Sequence, residues 1–174
     1  HGTSLAQNDN VATLAIAAAE QAETDLSGLP APTITATVTE RRFEGPGDRV
    51  LDQIAQGGTM ERIVLSAKSP FGAPRTWTFF VFPDRDPIQV VPSMPGQTRT
   101  RPYTQMELAP AVQLAAVTRA GVTDTCNRDR DMPVIDTIGT PANPDGSWEE
   151  IWKVRLCSGA IEWVTVRFDP PVFG

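Results

Sequence analysis

The run SWEEIWKVRLCSGAIEWVTVRF, residues 147–168, constrains the fold more than any other stretch. β-Branched and aromatic residues dominate it, and Ser158-Gly159 interrupts it. That pattern predicts two antiparallel strands around a two-residue turn. Placing Cys157 opposite Ala160 sets a register. Leu156 then meets Ile161, Val154 meets Trp163, and Trp152 meets Thr165. Arg155 falls opposite Glu162 and Glu150 opposite Arg167, so opposite charges meet on both faces. In this register Trp152 and Trp163 share a face, and a slip by one residue would part them.

The chain holds two cysteines, Cys126 and Cys157. Neither belongs to a C-x-x-C pair, and His1 is the only histidine, so a structural zinc site is not expected. A Cys126–Cys157 disulfide is expected instead, which requires an oxidising compartment. The alternative is two buried thiols in a cytosolic protein. For the bridge to form, the loop after the second long helix must pass beside the C-terminal hairpin.

The first residues bear on the same question. Ser4 and Ala6 stand at −3 and −1 before Gln7, the preference of a signal-peptide cleavage site. HGTS equally fits a scar left after a tag. Residues 1–6 are therefore read as a tag or signal-peptide remnant. An initial His-Gly also resembles the start of lytic polysaccharide monooxygenases, in which an N-terminal histidine and a second histidine hold copper. The resemblance ends at two residues, because no second imidazole exists.

The composition limits the rest. Net charge is −6, which argues against a sequence-independent grip on nucleic acid. No apolar run approaches the roughly 20 residues that span a bilayer. Lys68 and Lys153 are the only lysines, and the other basic residues are arginine, a bias typical of GC-rich bacterial genomes. The 16 prolines and 13 glycines point to long structured loops around short strands.

Along the chain, Asn8-Asp9-Asn10 is an N-cap cluster before a helix that reaches about Leu26 and ends at Gly28 and Pro30. Val11, Leu14, Ala15, Ala18, Ala22 and Leu26 form its inner stripe, with Glu20, Glu23 and Asp25 elsewhere. Residues 33–39 alternate as a strand, with Ile34, Ala36 and Val38 on one face. Asp48 caps a short helix with Val50, Leu51 and Ile54 inward, stopped by Gly57-Gly58. Residues 60–68 and 75–82 are strands. The second has Trp77, Phe79 and Val81 on one face and Phe80 and Phe82 on the other, so it is covered on both sides or carries an exposed aromatic patch. Residues 88–91 make a further short strand, and residues 83–102 are otherwise loop. A helix within residues 104–120 starts either at Thr104, with Glu107 completing a capping box, or at Pro110. Gly121 ends it. The whole reads as one α+β domain over residues 7–174: an antiparallel sheet finished by the C-terminal hairpin, packed against two main helices, with one disulfide.

The candidate chemistry is sparse. Asn127, Asp129 and Asp131 repeat every second residue, like the first half of a calcium loop. Met132 replaces the glycine of the bend, Ile138 replaces the bidentate glutamate, and Arg128 and Arg130 intervene, which favours a solvated charged loop. No G-x-S-x-G, P-loop or dinucleotide fingerprint is present, so no cofactor is expected. Adjacent Glu149 and Glu150 point to opposite faces of a strand and cannot act as a pair. Trp77, Trp148, Trp152 and Trp163 could form an aromatic platform or fill a core. Trp148, before its strand, is the member best placed for binding.

Trp152, Val154, Cys157 and Gly159 spell W-x-V-x-x-C-[GS]-G. The motif resembles small secreted proteins of Gram-negative bacteria that end in a tryptophan-rich hairpin, a group with no assigned activity. The resemblance covers about 20 residues and implies an extracytoplasmic address. The expected function is a non-enzymatic periplasmic or cell-surface binding or assembly protein that contacts a protein or an envelope polymer. The sheet edge and residues 83–102 are its contact surfaces. The alternatives are a carboxylate-dependent carbohydrate- or peptidoglycan-active enzyme, and a copper-binding protein through His1.

Overall fold

The computed structural model describes residues 5–29, 33–70, 72–122 and 126–170, with residues 5–9, Asp129 and Arg130 described in backbone only. His1 and the other residues 1–4 lie outside the described residues, and with them the copper reading. The α+β class, the antiparallel pairing, the C-terminal hairpin, the two main helices and the Cys126–Cys157 disulfide are all present. The strands are divided between two sheets, of four and three strands. Residues 7–174, read from sequence as one domain, group into two compact units, His1–Ser93 and Met94–Gly174. No described helix is long and apolar enough to cross a membrane.

The first unit contains α1 (Leu5–Ser27), β1 (Thr35–Phe43), α2 (Arg49–Ala55), β2 (Glu61–Lys68), β3 (Arg75–Phe82) and β4 (Gln89–Pro92). Its sheet is an antiparallel meander in the order β1-β2-β3-β4. Alternation along β3 builds two cores. Trp77, Phe79 and Val81 pack with Ile63, Leu65 and the α1 stripe Val11, Ala15 and Ala19. Phe80 and Phe82 pack on the other face with Leu51 of α2 and Met60. Apolar groups on both faces thus mark a central strand covered by a helix on each side. Asp48 caps α2 as expected, its Oδ1 accepting from the amides of Val50 and Leu51. The helix ends one residue before the two glycines, with Gln56 in the left-handed region at φ 48°.

Two expectations fail in this unit. The helix α1 begins at Leu5 and runs through Asn8-Asp9-Asn10 without being capped there. Glu23, placed off the inner stripe, is buried at 5% exposure because Trp77 Nε1 donates to its Oε2 at 2.9 Å and Arg75 Nε lies 2.9 Å from the same oxygen.

The second unit contains α3 (Pro102–Ala120), α4 (Arg128–Asp131), β5 (Val134–Gly139), β6 (Trp148–Arg155) and β7 (Ile161–Phe168), with strand order β5-β6-β7. The helix read over residues 104–120, with Pro110 inside it, is present with an earlier start than Thr104, and the rival start at Pro110 does not hold. The helix α3 starts at Pro102, after Arg101 as N-cap. Pro110 is on the exposed side beside exposed Met106. The Met106 carbonyl, which loses its donor there, can be solvated. Val112, Ala116 and Val117 of α3 pack against Met132, Val134, Trp152, Val154 and Leu156. Leu156, Trp152 and Val154 are almost or wholly inaccessible.

The hairpin register differs from the expected one by a residue. Leu156 N–H donates to Ala160 C=O at 2.7 Å and Gly159 N–H donates to Leu156 C=O at 2.9 Å. The tip is therefore the three residues Cys157-Ser158-Gly159, with Gly159 left-handed at φ 88°, as in a type I turn closed by a glycine bulge. One extra residue in the tip reverses which face each β7 side chain occupies. Trp152 pairs with Val164, Lys153 with Trp163, Val154 with Glu162, Arg155 with Ile161, and Glu149, in place of Glu150, with Arg167. Trp152 and Trp163 consequently lie on opposite faces.

Candidate binding face

Two buried glutamates organise the tryptophans. In the first unit, Trp77 is 5% exposed, stacks near Phe79, and gives its indole N–H to Glu23. In the second, Glu150 is wholly buried. Its Oε1 accepts from Arg99 N at 2.8 Å and Trp148 Nε1 at 3.2 Å. Its Oε2 accepts from Thr98 Oγ1 and Trp152 Nε1, both at 2.8 Å. Trp148 also stacks on Phe168, with ring centroids 4.6 Å apart. Trp77, Trp148 and Trp152 thus have their polar edges engaged internally. Trp148, the member singled out for binding, is half-buried and serves the Glu150 cluster.

The same cluster fixes part of the segment expected as a contact loop. Arg99 N and Thr98 Oγ1 bind Glu150, while Gln97 N donates to Thr137 C=O at 2.8 Å. Thr98 N donates to Thr137 Oγ1, which donates in turn to Pro95 C=O. Gly96 passes so close to Thr137 that an added Cβ would overlap the Thr137 backbone. Gln105 Oε1 accepts from Met94 N, and Gln105 Nε2 donates to Thr100 C=O. The segment from Met94 to Thr100 is therefore laid against β5 and β6.

Trp163 is different. It is 48% exposed, as is Ile161 on the same face of β7. Pairing places Lys153 beside Trp163 and Ile151 beside Thr165, on the face opposite the Trp152 core. Asp136 pairs with Lys153 and Ile138 with Ile151 on that face. The Lys153 ammonium stands 4.4 Å from the Trp163 ring centroid and 3.8 Å from Asp136 Oδ2. This cation–π contact braces the indole while leaving much of it in water. On the edge, Arg119 Nη1 of α3 donates to Trp163 C=O at 3.0 Å. Of the four tryptophans, Trp163 alone combines large exposure with a braced side chain. Reading the tip as three residues ending in glycine would have found it, since that changes the face assigned to every β7 residue.

The remaining candidates are elsewhere. Asn127 precedes and Asp131 ends one turn of helix, with Asn127 N donating to Asp131 Oδ2 at 3.2 Å. Gln113 Nε2 donates to the Arg128 and Met132 carbonyls. The segment is a helical turn tied to α3, in place of an open loop, and the Asp129 side chain lies outside the described residues. Among the described residues, no group of three histidine, cysteine, aspartate or glutamate side chains could hold a metal ion. Cys126 and Cys157 are joined, with Cα atoms 6.4 Å apart, inside the normal disulfide range. The bridge ties the residues before α4 to the hairpin tip, the crossing predicted from sequence.

In the first unit, Glu44, Pro46, Asp52, Ala55, Gly57, Gly58 and Met60 line a cavity of about 300 Å³. Its two carboxylates are engaged: both Asp52 oxygens accept from Gly47 N, and Arg42 Nη2 lies 2.9 Å from Glu44 Oε1. No tryptophan lines it. Beside it, Asp84 takes the Thr59 amide at 2.7 Å. Hydrogen bonds from the Thr59 backbone and side chain hold the Asp84 carboxyl below its ordinary range.

No family model matches the chain, and no curated protein or solved structure matches it either.

Proposed function

We propose that the protein is a non-enzymatic binding or assembly protein of the periplasm or cell surface, and that it contacts a protein partner through the outer face of β5–β7. The carrying observation is Trp163, 48% exposed and braced by Lys153 on an open sheet face. Exposed, pre-ordered tryptophans flanked by aliphatic residues have the character of interface hot spots. The Lys153 ammonium occupies one side of the ring. Around Trp163 the Lys153–Asp136 pair and the Ile161 and Ile151 side chains mix charged and aliphatic groups, the make-up of a protein-contacting patch. The disulfide supports an oxidising compartment. The shielding of Glu23 and Glu150 by indole donors supports a structural use of these two buried acids over a catalytic one.

The test is capture from envelope extract with immobilised wild-type protein and with Trp163→Ala. Wild type should retain a specific protein band that the variant loses while keeping its fold by circular dichroism. Equal capture by both would remove Trp163 from the contact, and release of reducing sugar from peptidoglycan or glycans by the purified protein would favour the enzyme reading.

A further inference from the structure

Sheet edges are templates for further strands, and proteins normally blunt them. Three of the four edges here are blunted. The edge strand β1 carries a bulge between Val38 and Glu40 and the charged run Glu40-Arg41-Arg42. At the other edge, β4 has four residues and ends in Pro92. The edge strand β5 has a bulge between Val134 and Asp136, and Gln97 and Thr98 bind along it. By contrast β7 runs for eight residues, pairs with β6 without a register shift, contains neither proline nor lysine, and carries two separated charges, Glu162 and Arg167, in place of a charged run.

The pairing also shows which backbone groups β7 leaves over. Leu156 and Ala160 form a hydrogen-bonded pair, and such pairs alternate with non-bonded ones along an antiparallel ladder. Ile161, Trp163, Thr165 and Arg167 are therefore non-bonded towards β6 and aim their N–H and C=O groups outwards. The Arg119 bond to the Trp163 carbonyl confirms that direction. Among the described residues, no strand pairs with this edge.

We propose that a second copy of this chain adds to β7, antiparallel about a two-fold axis through Thr165, to make a continuous six-stranded sheet. Only registers joining outward-aimed residues allow backbone bonding, and those with Trp163 inside the pairing can be compared by their side chains. With Thr165 on the axis, Trp163 meets the partner's Arg167 on the outer face and Val164 meets the partner's Val166 on the inner face. Thr165 faces itself. These are an aromatic–cation pair repeated twice, an aliphatic pair repeated twice, and a threonine pair, all favourable across strands. The neighbouring register sets Arg167 against the partner's Ile161, and the next loses Arg167 from the pairing. Three bonded pairs give about six backbone hydrogen bonds. Val164 and Val166, only half-buried at the margin of the α3 core, would be covered. Arg119, itself exposed, gives up the Trp163 carbonyl to the partner's Arg167 amide. The inference deepens the binding reading, since β7 carries Trp163, and names the partner of the edge.

Sedimentation of the purified full chain from micromolar to submillimolar concentration tests it. Capture from extract reads the other proposal, so either can fail alone. The expected mass rises to twice the 18.8 kDa of the chain. Thr165→Pro, which removes an outward N–H, and Thr165→Lys, which changes only an exposed side chain, should both stay monomeric with unchanged circular dichroism. On oxidation Thr165→Cys should cross-link two chains, because bonded pairs bring Cα atoms to about 5.5 Å, while Trp163→Cys should not. A mass of one chain at every concentration, a dimer that persists in Thr165→Lys, or equal cross-linking by Trp163→Cys would overturn the proposal.

Discussion

Replacing Glu150 by Gln separates a directed polar cluster from a merely buried side chain. Glu150 accepts from four donors, two on each oxygen. A glutamine amide keeps one acceptor and replaces the other with donors. If its NH₂ takes the Oε1 position it faces the Arg99 amide and the Trp148 indole, neither of which can turn to accept. If it takes the Oε2 position, Thr98 can reorient, because its hydroxyl lies 2.6 Å from Thr100 Oγ1 and could donate there. Trp152 N–H cannot reorient. The better orientation thus strands one buried indole donor, at about 1–3 kcal/mol, and turns the remaining bonds from charge-assisted to neutral, for about 3 kcal/mol in all. Against a total stability of about 5–15 kcal/mol this is a large loss. Urea denaturation followed by circular dichroism and tryptophan emission measures it. A Glu150→Gln protein within about 0.5 kcal/mol of wild type, the range of neutral surface changes, would refute the claim that this cluster holds the 94–100 segment to β6.

Gly96→Ala should destabilise by at least about 2 kcal/mol in the same assay, since φ is 99° and the new Cβ would collide with Thr137. Replacing both Cys126 and Cys157 by Ser should cost about 3–4 kcal/mol for a bridge closing a separation of 31 residues, with a matching fall in melting temperature. Asp84 tests pH linkage. Its folded carboxyl titrates below its ordinary value, so its stabilising contribution is complete above about pH 4 and fades as pH falls through the lowered folded value. Wild type should therefore exceed Asp84→Ala in melting temperature at pH 7 by a margin that shrinks steadily below pH 4.

Local chemistry was legible wherever a short-range rule decided the outcome. Strict alternation located β1, the apolar and aromatic runs at residues 60–68 and 75–82 located β2 and β3 and assigned the two faces of β3, and Asp48 announced α2 through the acceptor it offers to the Val50 and Leu51 amides. The Cys126–Cys157 bridge was legible because two thiols had no other use. What stayed hidden depends on contacts distant in sequence. The strand β5 escaped because the bulge between Val134 and Asp136 breaks the two-residue period. Burial of Glu23 depends on Arg75 and Trp77, and the early start of α3 on Pro102 after an uncapped Arg101. For the candidate site, all four tryptophans were named from sequence, but their sorting rested on one residue in a turn. Charge pairing across the hairpin favoured the wrong register, because Glu150 goes inward to two indoles instead of meeting Arg167.

Cys157 is the first residue of the three-residue tip, and its sulfur is tethered to Cys126. A free hairpin could trade a longer loop for a shorter one and turn Trp163 inside out with Trp152. The tether opposes that change, because carrying Cys157 into the ladder would drag Cys126 and the residues before α4 with it. The cross-link thus acts as a phase lock, and deleting Ser158 would bring covalent and pleat constraints into direct conflict.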